Sequence, residues 1–524
     1  MTSFKLAWAG GLLALIPFMA SASIPIAHCR PGDRPESGLS GTITQQEVDR
    51  GDPAKGFNCN ADIVGQFQGE GASWQLTAWK NCAYFDQRRN AAVAQQGTVV
   101  VDVTDPTKPQ KTVIIDARGM LDPWESLKVN PARQLLAAAE QGQNGLAIYD
   151  ISDCKSPVLR ADVQLVGNRG HTGQWAPDGN TYYVTPLQAS PSVIPIDTKD
   201  PTNPKIMPCG QGTPGCNSNG FYVNPPPVSP IVHDLEFSKD GNTAYLSTTG
   251  NPTNGFPNGL VILDVSDFQQ RRPNPGFKII GSLGWNDGSR GAQNALPITI
   301  KGKPYILFSD ESGAQGGGCA AGMSANGFPR LIDISDPKNP KTVGKIMLDV
   351  HDPQYCTQVS AMAAAGSPLR PTPGGASFGY SCHYCAVDDA DDAKIAGCSC
   401  FTAGARFFDI SNPEYVTEIA YLKPPAQGTK LLPASQYANQ GGAAAATFVR
   451  NYDWSTSKFS WPKDRGMTSG DVWITGQDNG FMVVKLAATA GGDSGGCASA
   501  DASIGALMIF GVLQLVRRWR ARSS

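Results

Sequence analysis

The sequence predicts an all-β protein, a seven-bladed β-propeller of four-stranded blades. Three observations lead to this prediction. One short phrase recurs along the chain, hydrophobic residues make up 41% of it, and 58 glycines and 40 prolines supply turns for many short strands. The first copies of the phrase place its aspartate at Asp102, Asp150 and Asp197. This spacing is close to the roughly 45 residues typical of one propeller blade.

The recurring phrase is an apolar run, an aspartate, one apolar residue and then Ser/Thr-Asp-Pro. It appears as "TVVVDVTDP", "GLVILDVSD" and "PRLIDISDP". The β-branched residues suit a buried strand, and Pro106, which has no amide N–H, ends the strand ladder. A degenerate seventh copy, "GFMVVKLA", has lysine in the aspartate position. The seven positions are Asp102, Asp150, Asp197, Asp264, Asp333, Asp409 and Lys485.

Each copy is predicted to be the third strand of a blade. An aromatic strand such as "NTAYLSTTG" precedes it, and one further strand such as "KTVIID" follows it. The seventh copy lacks this following strand, whereas the chain has an unassigned strand, "ADIVGQFQG", beginning at Ala61. We therefore predict that the N-terminal strand completes the last blade, which closes the ring and removes its exposed edges.

The phrase resembles the LVIVD repeat family of secreted and surface bacterial β-propellers. The resemblance covers residues 61–487 and is best at "TVVVDVTDPTKP", "GLVILDVSD" and "PRLIDISDPKNP". The motif is structural in origin, so it is specific for the fold. What the resemblance implies about function is limited to surface recognition or adhesion.

Both ends of the chain are predicted to be targeting segments. Lys5, an apolar run and Ala20-Ser21-Ala22 are typical of a secretory signal peptide. The predicted organisation is a signal peptide at 1–22, an N-terminal extension at 23–60, the propeller at 61–487, a Gly/Ser-rich linker with Cys497 at 488–503, and a hydrophobic segment with an arginine-rich tail at 504–524.

The C-terminal tail resembles bacterial sorting signals of the GlyGly/Cys type. The resemblance implies a sorting protease that acts near Gly495, Gly496 and Cys497, followed by surface attachment or release to the medium. A plain membrane anchor is the alternative, with arginines on the cytoplasmic side. Either way, we expect an exported protein of the cell surface or outer envelope that contacts the membrane through its tail.

Apart from Cys497 the chain has twelve cysteines, an even number expected to form disulfides in an exported protein. Cys209 and Cys216 are predicted to pair locally. A second group, which includes "CHYC" and "CSC", is predicted to staple one loop, and it consists of Cys382, Cys385, Cys398 and Cys400. A zinc site that includes His383 is the alternative, and the oxidising compartment favours disulfides.

Candidate ligands for a transition metal lie where innermost strands begin. His171 opens the innermost strand of blade 3 and His233 that of blade 4, so both are predicted to face the central channel. Glu125 aligns with them in blade 2, and His351 is predicted to open blade 6. Imidazole and carboxylate groups around one axis suit zinc, copper or iron. The alternative is that each histidine bonds to a neighbouring backbone and has only a structural role.

The formal net charge of −2 does not favour binding to nucleic acid, so we expect no nucleic-acid partner. The sequence favours a non-enzymatic platform that binds a surface protein, a glycan or a small ligand through long loops of blades 4–7. The competing hypothesis is a metal-dependent oxidoreductase or hydrolase with its site in the channel. A purely structural envelope component is the third hypothesis.

Overall fold

The computed structural model contains seven antiparallel sheets, one for each predicted blade, and confirms the seven-bladed propeller. The structure describes residues 24–487, except for 88–94, 142–143, 166–169, 189, 214, 218–221, 224–228, 230, 251–257, 315, 365–366, 368, 370–377, 427–452, 461–469 and 478. The predicted signal peptide and C-terminal tail lie outside the described residues. No described helix is long and apolar enough to cross a membrane.

The chain enters through two N-terminal strands and then forms blades 1–3 in order. The entering strands are β1 (Phe57–Cys59) and β2 (Ala61–Phe67). Blade 1 contains β3 (Ala72–Trp79), β4 (Cys82–Gln87), β5 (Thr98–Asp102) and β6 (Gln110–Ile115). Blade 2 contains β7 (Lys128–Asn130), β8 (Leu135–Ala139), β9 (Gly145–Asp150) and β10 (Val158–Gln164). Blade 3 contains β11 (Thr172–Trp175), β12 (Thr181–Thr185), β13 (Ile194–Asp197) and β14 (Lys205–Ile206).

Blades 4–7 follow the same order from the innermost strand outwards. Blade 4 contains β15 (Val232–Phe237), β16 (Thr243–Thr248), β17 (Asn258–Asp264) and β18 (Lys278–Trp285). Blade 5 contains β19 (Ser289–Ile300), β20 (Lys303–Gly313), β21 (Arg330–Asp333) and β22 (Lys341–Lys345). Blade 6 contains β23 (Cys385–Val387), β24 (Ile395–Cys400), β25 (Gly404–Asp409) and β26 (Thr417–Lys423). Blade 7 contains β27 (Asp453–Ser460), β28 (Gly470–Gly476) and β29 (Gly480–Leu486).

The helical segments are short, and two of them precede β1. The α-helices are α1 (Gln45–Asp49), α2 (Arg118–Leu121), α3 (Ser266–Gln269) and α4 (Cys356–Met362). The 3₁₀ turns span Asp52–Lys55, Gly316–Ala321, Asp349–His351 and Pro353–Tyr355.

The ring closes as the sequence predicts. Strand β2 pairs antiparallel with β29, with Ala61 opposite Leu486, and so provides the outer strand of blade 7. Strand β1 was not anticipated as part of a blade. It pairs with β26, with Phe57 opposite Lys423, and gives blade 6 a fifth strand. The N-terminal segment therefore joins blade 6 to blade 7 across the closure.

Buried ion pairs hold this N-terminal segment in place. Glu36 lies 2.5 Å from the Arg406 guanidinium and 3.0 Å from Lys423 Nζ, and all three side chains are buried. Arg406 also bonds Glu418 at 3.1 Å. Burial alone would raise the pKa of Glu36, but Arg406 and Lys423 outweigh it and lower that pKa. Breaking such a buried pair leaves an uncompensated charge, so the segment is integral to the ring.

The recurring phrase forms the contact between successive blades. Its aspartate ends the third strand of the blade and accepts a hydrogen bond from the following turn. In blade 1, for example, Asp102 accepts the Thr104 N–H at 2.9 Å. The proline carbonyl of this turn then lies against a glycine in the outer strand of the preceding blade. A Cβ on that glycine would lie 1.9–2.1 Å from the carbonyl oxygen in three such pairs, namely Gly65–Pro106, Gly281–Pro337 and Gly344–Pro413.

The predicted disulfide bonding is confirmed, since all twelve cysteines upstream of Cys497 form six disulfides. Such a density of disulfides is typical of proteins in an oxidising, extracytoplasmic compartment. The pairs are Cys29–Cys59, Cys82–Cys154, Cys209–Cys216, Cys319–Cys356, Cys382–Cys400 and Cys385–Cys398. The last two involve the four sulfurs of the alternative zinc site, which are therefore not available as thiolate ligands.

Candidate metal centre in the central channel

Five successive blades bring ionisable side chains to one end of the channel. Glu125 lies just before β7 of blade 2, and His171 just before β11 of blade 3. His233 belongs to β15 of blade 4, Glu311 to β20 of blade 5, and His383 lies just before β23 of blade 6. The propeller therefore converts five distant positions in sequence into one cluster.

Glu125, His171 and His233 have the spacing of metal ligands. Each offers one ligand atom, and these atoms lie within 4.8 Å of one another. The two Nε2 atoms of His171 and His233 are 3.2 Å apart, and Glu125 Oε2 is 3.6 Å from His171 Nε2. Ligand bonds of about 2.0–2.1 Å around one tetrahedral ion place donor atoms at similar separations. All three residues are buried.

Hydrogen bonds orient two of these donors. His171 Nδ1 lies 3.2 Å from Gln141 Oε1, so an N–H at Nδ1 leaves the Nε2 lone pair directed at His233. Glu125 Oε1 is 2.9 Å from His383 Nε2. Across the described part of the chain, neither Glu125 Oε2 nor His233 Nδ1 has a hydrogen-bond partner. A buried carboxylate oxygen without a partner is costly unless a cation occupies the site.

A β-bulge places His233 in the cluster. The pairing of β15 with β16 shifts register between Val232 and Asp234, at the position of His233. The same irregularity occurs in β19 between Ala292 and Asn294, at Gln293, whose Nε2 lies 2.9 Å from His383 Nε2. Bulges redirect side chains and are frequent beside active sites. Gln293 thus faces the channel, as its alignment with His233 suggests.

Backbone contacts between blades hold the cluster in place. The Glu125 N–H donates to the His171 carbonyl at 3.1 Å, which joins the loops of blades 2 and 3. The Thr172 hydroxyl donates to the His233 carbonyl, which joins blades 3 and 4. The geometry of the donors is therefore set by the scaffold, a requirement for a preorganised site.

The electrostatics of the cluster suit a cation. Burial alone would raise the pKa of Glu125, but His233 and His383 outweigh it and lower this pKa to about 2. Burial, assisted by His233, lowers the pKa of His171 to about 3. Glu125 is therefore anionic and His171 neutral at pH 7, which are the forms that bind metals. Burial and the neighbouring Glu125 raise the pKa of Glu311 well above its ordinary value.

His351 lies outside this cluster, unlike the sequence-based expectation. Blade 6 begins at Cys385, and His351 belongs to a 3₁₀ turn upstream of it. Its Nδ1 accepts the Leu348 N–H at 3.0 Å, and its Nε2 lies 2.9 Å from the Tyr380 carbonyl oxygen. Burial lowers the pKa of His351 to about 4, consistent with a neutral ring. Its position is that of a structural histidine.

His383 and Glu311 are members of the cluster that the sequence did not assign to the channel. His383 stands between two half-cystines, so its neighbours suggested a zinc or disulfide role. Glu311 comes from the end of a second strand, and its Oε1 is 3.6 Å from His233 Nε2. In the structure His383 precedes an innermost strand just as His171 does.

Aromatic rings cover one side of the cluster. The ring centroid of Trp74 is 5.7 Å from that of His383, and Trp124 is 5.9 Å from His171. Trp74 and Trp124 themselves are 4.6 Å apart, and Phe401 packs 5.3 Å from His383. Apolar walls around donor groups lower the local dielectric and strengthen charge interactions.

Comparison with protein families supports the identification of the repeat. The family model of the LVIVD repeat matches residues 141–164, which include β9 and β10 of blade 2. No protein with curated annotation is detectably similar to this chain.

Three solved structures show a distant similarity to this chain. The β-propeller domain of Cps50 (Swd1) from Myceliophteria thermophila is 10% identical, with 81% of this chain and 99% of that chain covered and a TM-score of 0.44. A protein from Lactobacillus plantarum is 15% identical, with coverages of 68% and 90% and a TM-score of 0.41. A functionally unknown protein from Desulfotomaculum acetoxidans is 11% identical, with coverages of 69% and 93% and a TM-score of 0.42. At these values the similarity carries no functional argument.

Proposed function

We propose that this propeller is a metal-dependent enzyme that binds one divalent transition-metal ion in its central channel. Glu125, His171 and His233 would hold the ion, which would supply Lewis-acid or redox chemistry. Two histidines and one carboxylate are the donor set of non-haem iron oxygenases and of many zinc hydrolases. The observation that carries the proposal is the buried Glu125 Oε2, which faces two imidazoles and has no hydrogen-bond partner among the residues that the structure describes.

The other channel residues have supporting roles in this proposal. His383 bonds Glu125 Oε1 and so leaves Oε2 for the ion. Gln141 accepts a hydrogen bond from His171 Nδ1 and so leaves the Nε2 lone pair of His171 for the ion. Such outer contacts typically change metal affinity by about 10–100-fold when removed. Glu311, which approaches His233 and His383 at 3.6 and 3.8 Å, adds a further carboxyl group beside the proposed ligands.

When bound, the metal would polarise a substrate oxygen or activate a water molecule or dioxygen. The protein would supply the positions of the donors, the aromatic wall that limits water, and the carboxyl group of Glu311 near the reacting position. Zinc would favour hydrolysis, and iron or copper would favour oxidation. The donor set is compatible with both classes of reaction, so the identity of the bound metal distinguishes hydrolysis from oxidation.

The decisive experiment is elemental analysis of the purified protein, before and after reconstitution with Zn²⁺, Fe²⁺ and Cu²⁺. We expect about one equivalent of one metal in the wild type and its loss in a His171→Ala/His233→Ala double variant. His351→Ala is the matched control, since His351 is equally buried but binds only backbone groups. Wild-type protein without stoichiometric metal, or a double variant that retains it, would overturn the proposal and favour the recognition platform.

A further inference from the structure

A second polar region lies along the same channel. A cavity of about 280 Å³ is lined by innermost strands of blades 1, 2, 4, 5 and 6. Its polar lining includes Gln75, Thr77, Lys128, Glu236, Asn294 and Tyr384. Leu76, Leu296 and Val387 are among its apolar lining residues. We call this cavity the chamber. Its size is near the lower limit of typical small-ligand pockets.

We propose that the chamber binds a small primary amine, with the ammonium group at Glu236 and the apolar part against Leu76, Leu296 and Val387. The proposal does not depend on the metal centre, because none of the three metal donors lines the chamber.

The charge balance around the chamber favours a cation. Lys128 is shared between two carboxyl groups, Glu236 at 3.9 Å and the nearby Asp234, and burial raises the pKa of both, so a further cation would stabilise their ionised forms. Asp234 is already occupied, since its Oδ2 accepts from Asn294 at 3.0 Å and from the Tyr384 hydroxyl at 3.1 Å. Glu236 Oε2 accepts from Gln174 at 2.8 Å. Glu236 Oε1 has weaker contacts, to Asn294 at 3.4 Å and Lys128 at 3.9 Å.

An unpaired acceptor also indicates a ligand that donates hydrogen bonds. Gln75 is 4% exposed and lines the chamber, and its Oε1 has no hydrogen-bond partner within the described ranges. Such a buried acceptor destabilises the protein unless a donor reaches it. An ammonium group has three donors, which suits a chamber lined by both Glu236 and Gln75. A carboxylate ligand would instead place a further acidic group beside Glu236 and leave the Gln75 oxygen without a donor.

Three ligands of almost identical shape test the charge requirement. Binding of 2-phenylethylamine, 2-phenylethanol and phenylacetate to the purified protein would be measured by isothermal titration calorimetry. We expect the amine to bind at least about tenfold more tightly than the alcohol, and the anion to bind most weakly. An amine that binds no more tightly than the alcohol would overturn the proposal without any mutation.

Variants locate the binding site. Glu236→Gln keeps the side-chain shape and is expected to abolish the preference for the amine. Glu414→Gln is the matched control, because it removes one exposed carboxylate elsewhere on the protein. Lys128→Met removes the competing cation and should tighten amine binding by about tenfold. Unchanged amine binding in Glu236→Gln would place the amine elsewhere and contradict the proposal.

Titrations of protein treated with a chelator and of metal-loaded protein separate the two proposals. Amine binding that is equal in both forms supports the chamber as the site. Amine binding that requires the metal would show that the amine is a ligand of the ion, and would overturn the chamber assignment while supporting the metal centre. If the protein binds no metal but still prefers the amine, the metal proposal fails and the amine proposal stands.

Discussion

The Nε2 atoms of His171 and His233 lie 3.2 Å apart, although 62 positions separate the residues and they belong to different blades. Two neutral imidazoles can share one proton at this distance, or both lone pairs can face a cation. The adjacent Glu125 is buried and anionic, which favours the cation. This pair of nitrogens is thus the geometric centre of the proposed metal site.

Single substitutions should separate ligand histidines from structural ones. His171→Ala is expected to remove the bound metal with little loss of stability in the metal-free state. His351→Ala should retain the metal but lower the free energy of unfolding by about 1–3 kcal/mol, because it leaves the buried Leu348 N–H without its acceptor. Metal content and urea unfolding of both metal-free variants would be compared. Loss of metal in His351→Ala would contradict this assignment of roles.

The fold could be predicted because the residues that form the buried strands and turns of each blade recur along the sequence. Buried strands need apolar residues, and the Asp-Pro turn appears at the same point of successive units. The placement of His171 and His233 followed from the same alignment. His383 could not be placed in this way because the chain between the end of β22 at Lys345 and the start of β23 at Cys385 is long and includes α4, so the repeat spacing is lost there. The position of Glu311 in the channel depends on how far β20 extends, and the repeat does not determine the length of this strand.

The glycine beside the Asp-Pro turn was also not visible in the sequence, because its partner lies in another blade. Gly65→Ala should destabilise the ring closure, since the new Cβ would lie 2.0 Å from the Pro106 carbonyl oxygen. Backbone atoms cannot easily move aside, so we expect a loss of about 1–3 kcal/mol in the free energy of unfolding. Gly317→Ala is the control, because a Cβ there meets no atom within 4 Å. Equal urea midpoints for both variants would contradict the role of this contact.

The disulfides should differ in their contribution to stability. Cys82–Cys154 joins β4 of blade 1 to the turn after β9 of blade 2 and closes a separation of 72 residues. Cys209–Cys216 closes a separation of only 7 residues. Chain entropy predicts that replacing the longer link by alanines costs about 2 kcal/mol more than replacing the shorter one. Urea unfolding of the two double variants tests this, and an equal or reversed order would contradict it.

The last prediction concerns pH and Glu236. Burial, together with the facing Asp234 and against the opposing Lys128, raises its pKa from the ordinary 4.5 to about 7. A carboxyl group with a raised pKa in the folded state stabilises that state when protonated. Its contribution is complete below about pH 4.5 and is lost as the pH rises through about 7. The total loss is at most about 3–4 kcal/mol, because one pKa unit corresponds to about 1.4 kcal/mol.

Glu236→Gln removes this titration while preserving the side-chain shape. The difference in unfolding free energy, wild type minus variant, should therefore fall between pH 5 and pH 8 in metal-free and amine-free protein. Titrating groups distant from Glu236 are common to both proteins, so they largely cancel in the difference. Glu414→Gln, which removes an exposed carboxylate elsewhere, is the matched control. A difference for Glu236→Gln that is flat or that rises with pH would show that Glu236 is ionised and well compensated in the folded protein, and would leave no unbalanced charge in the chamber.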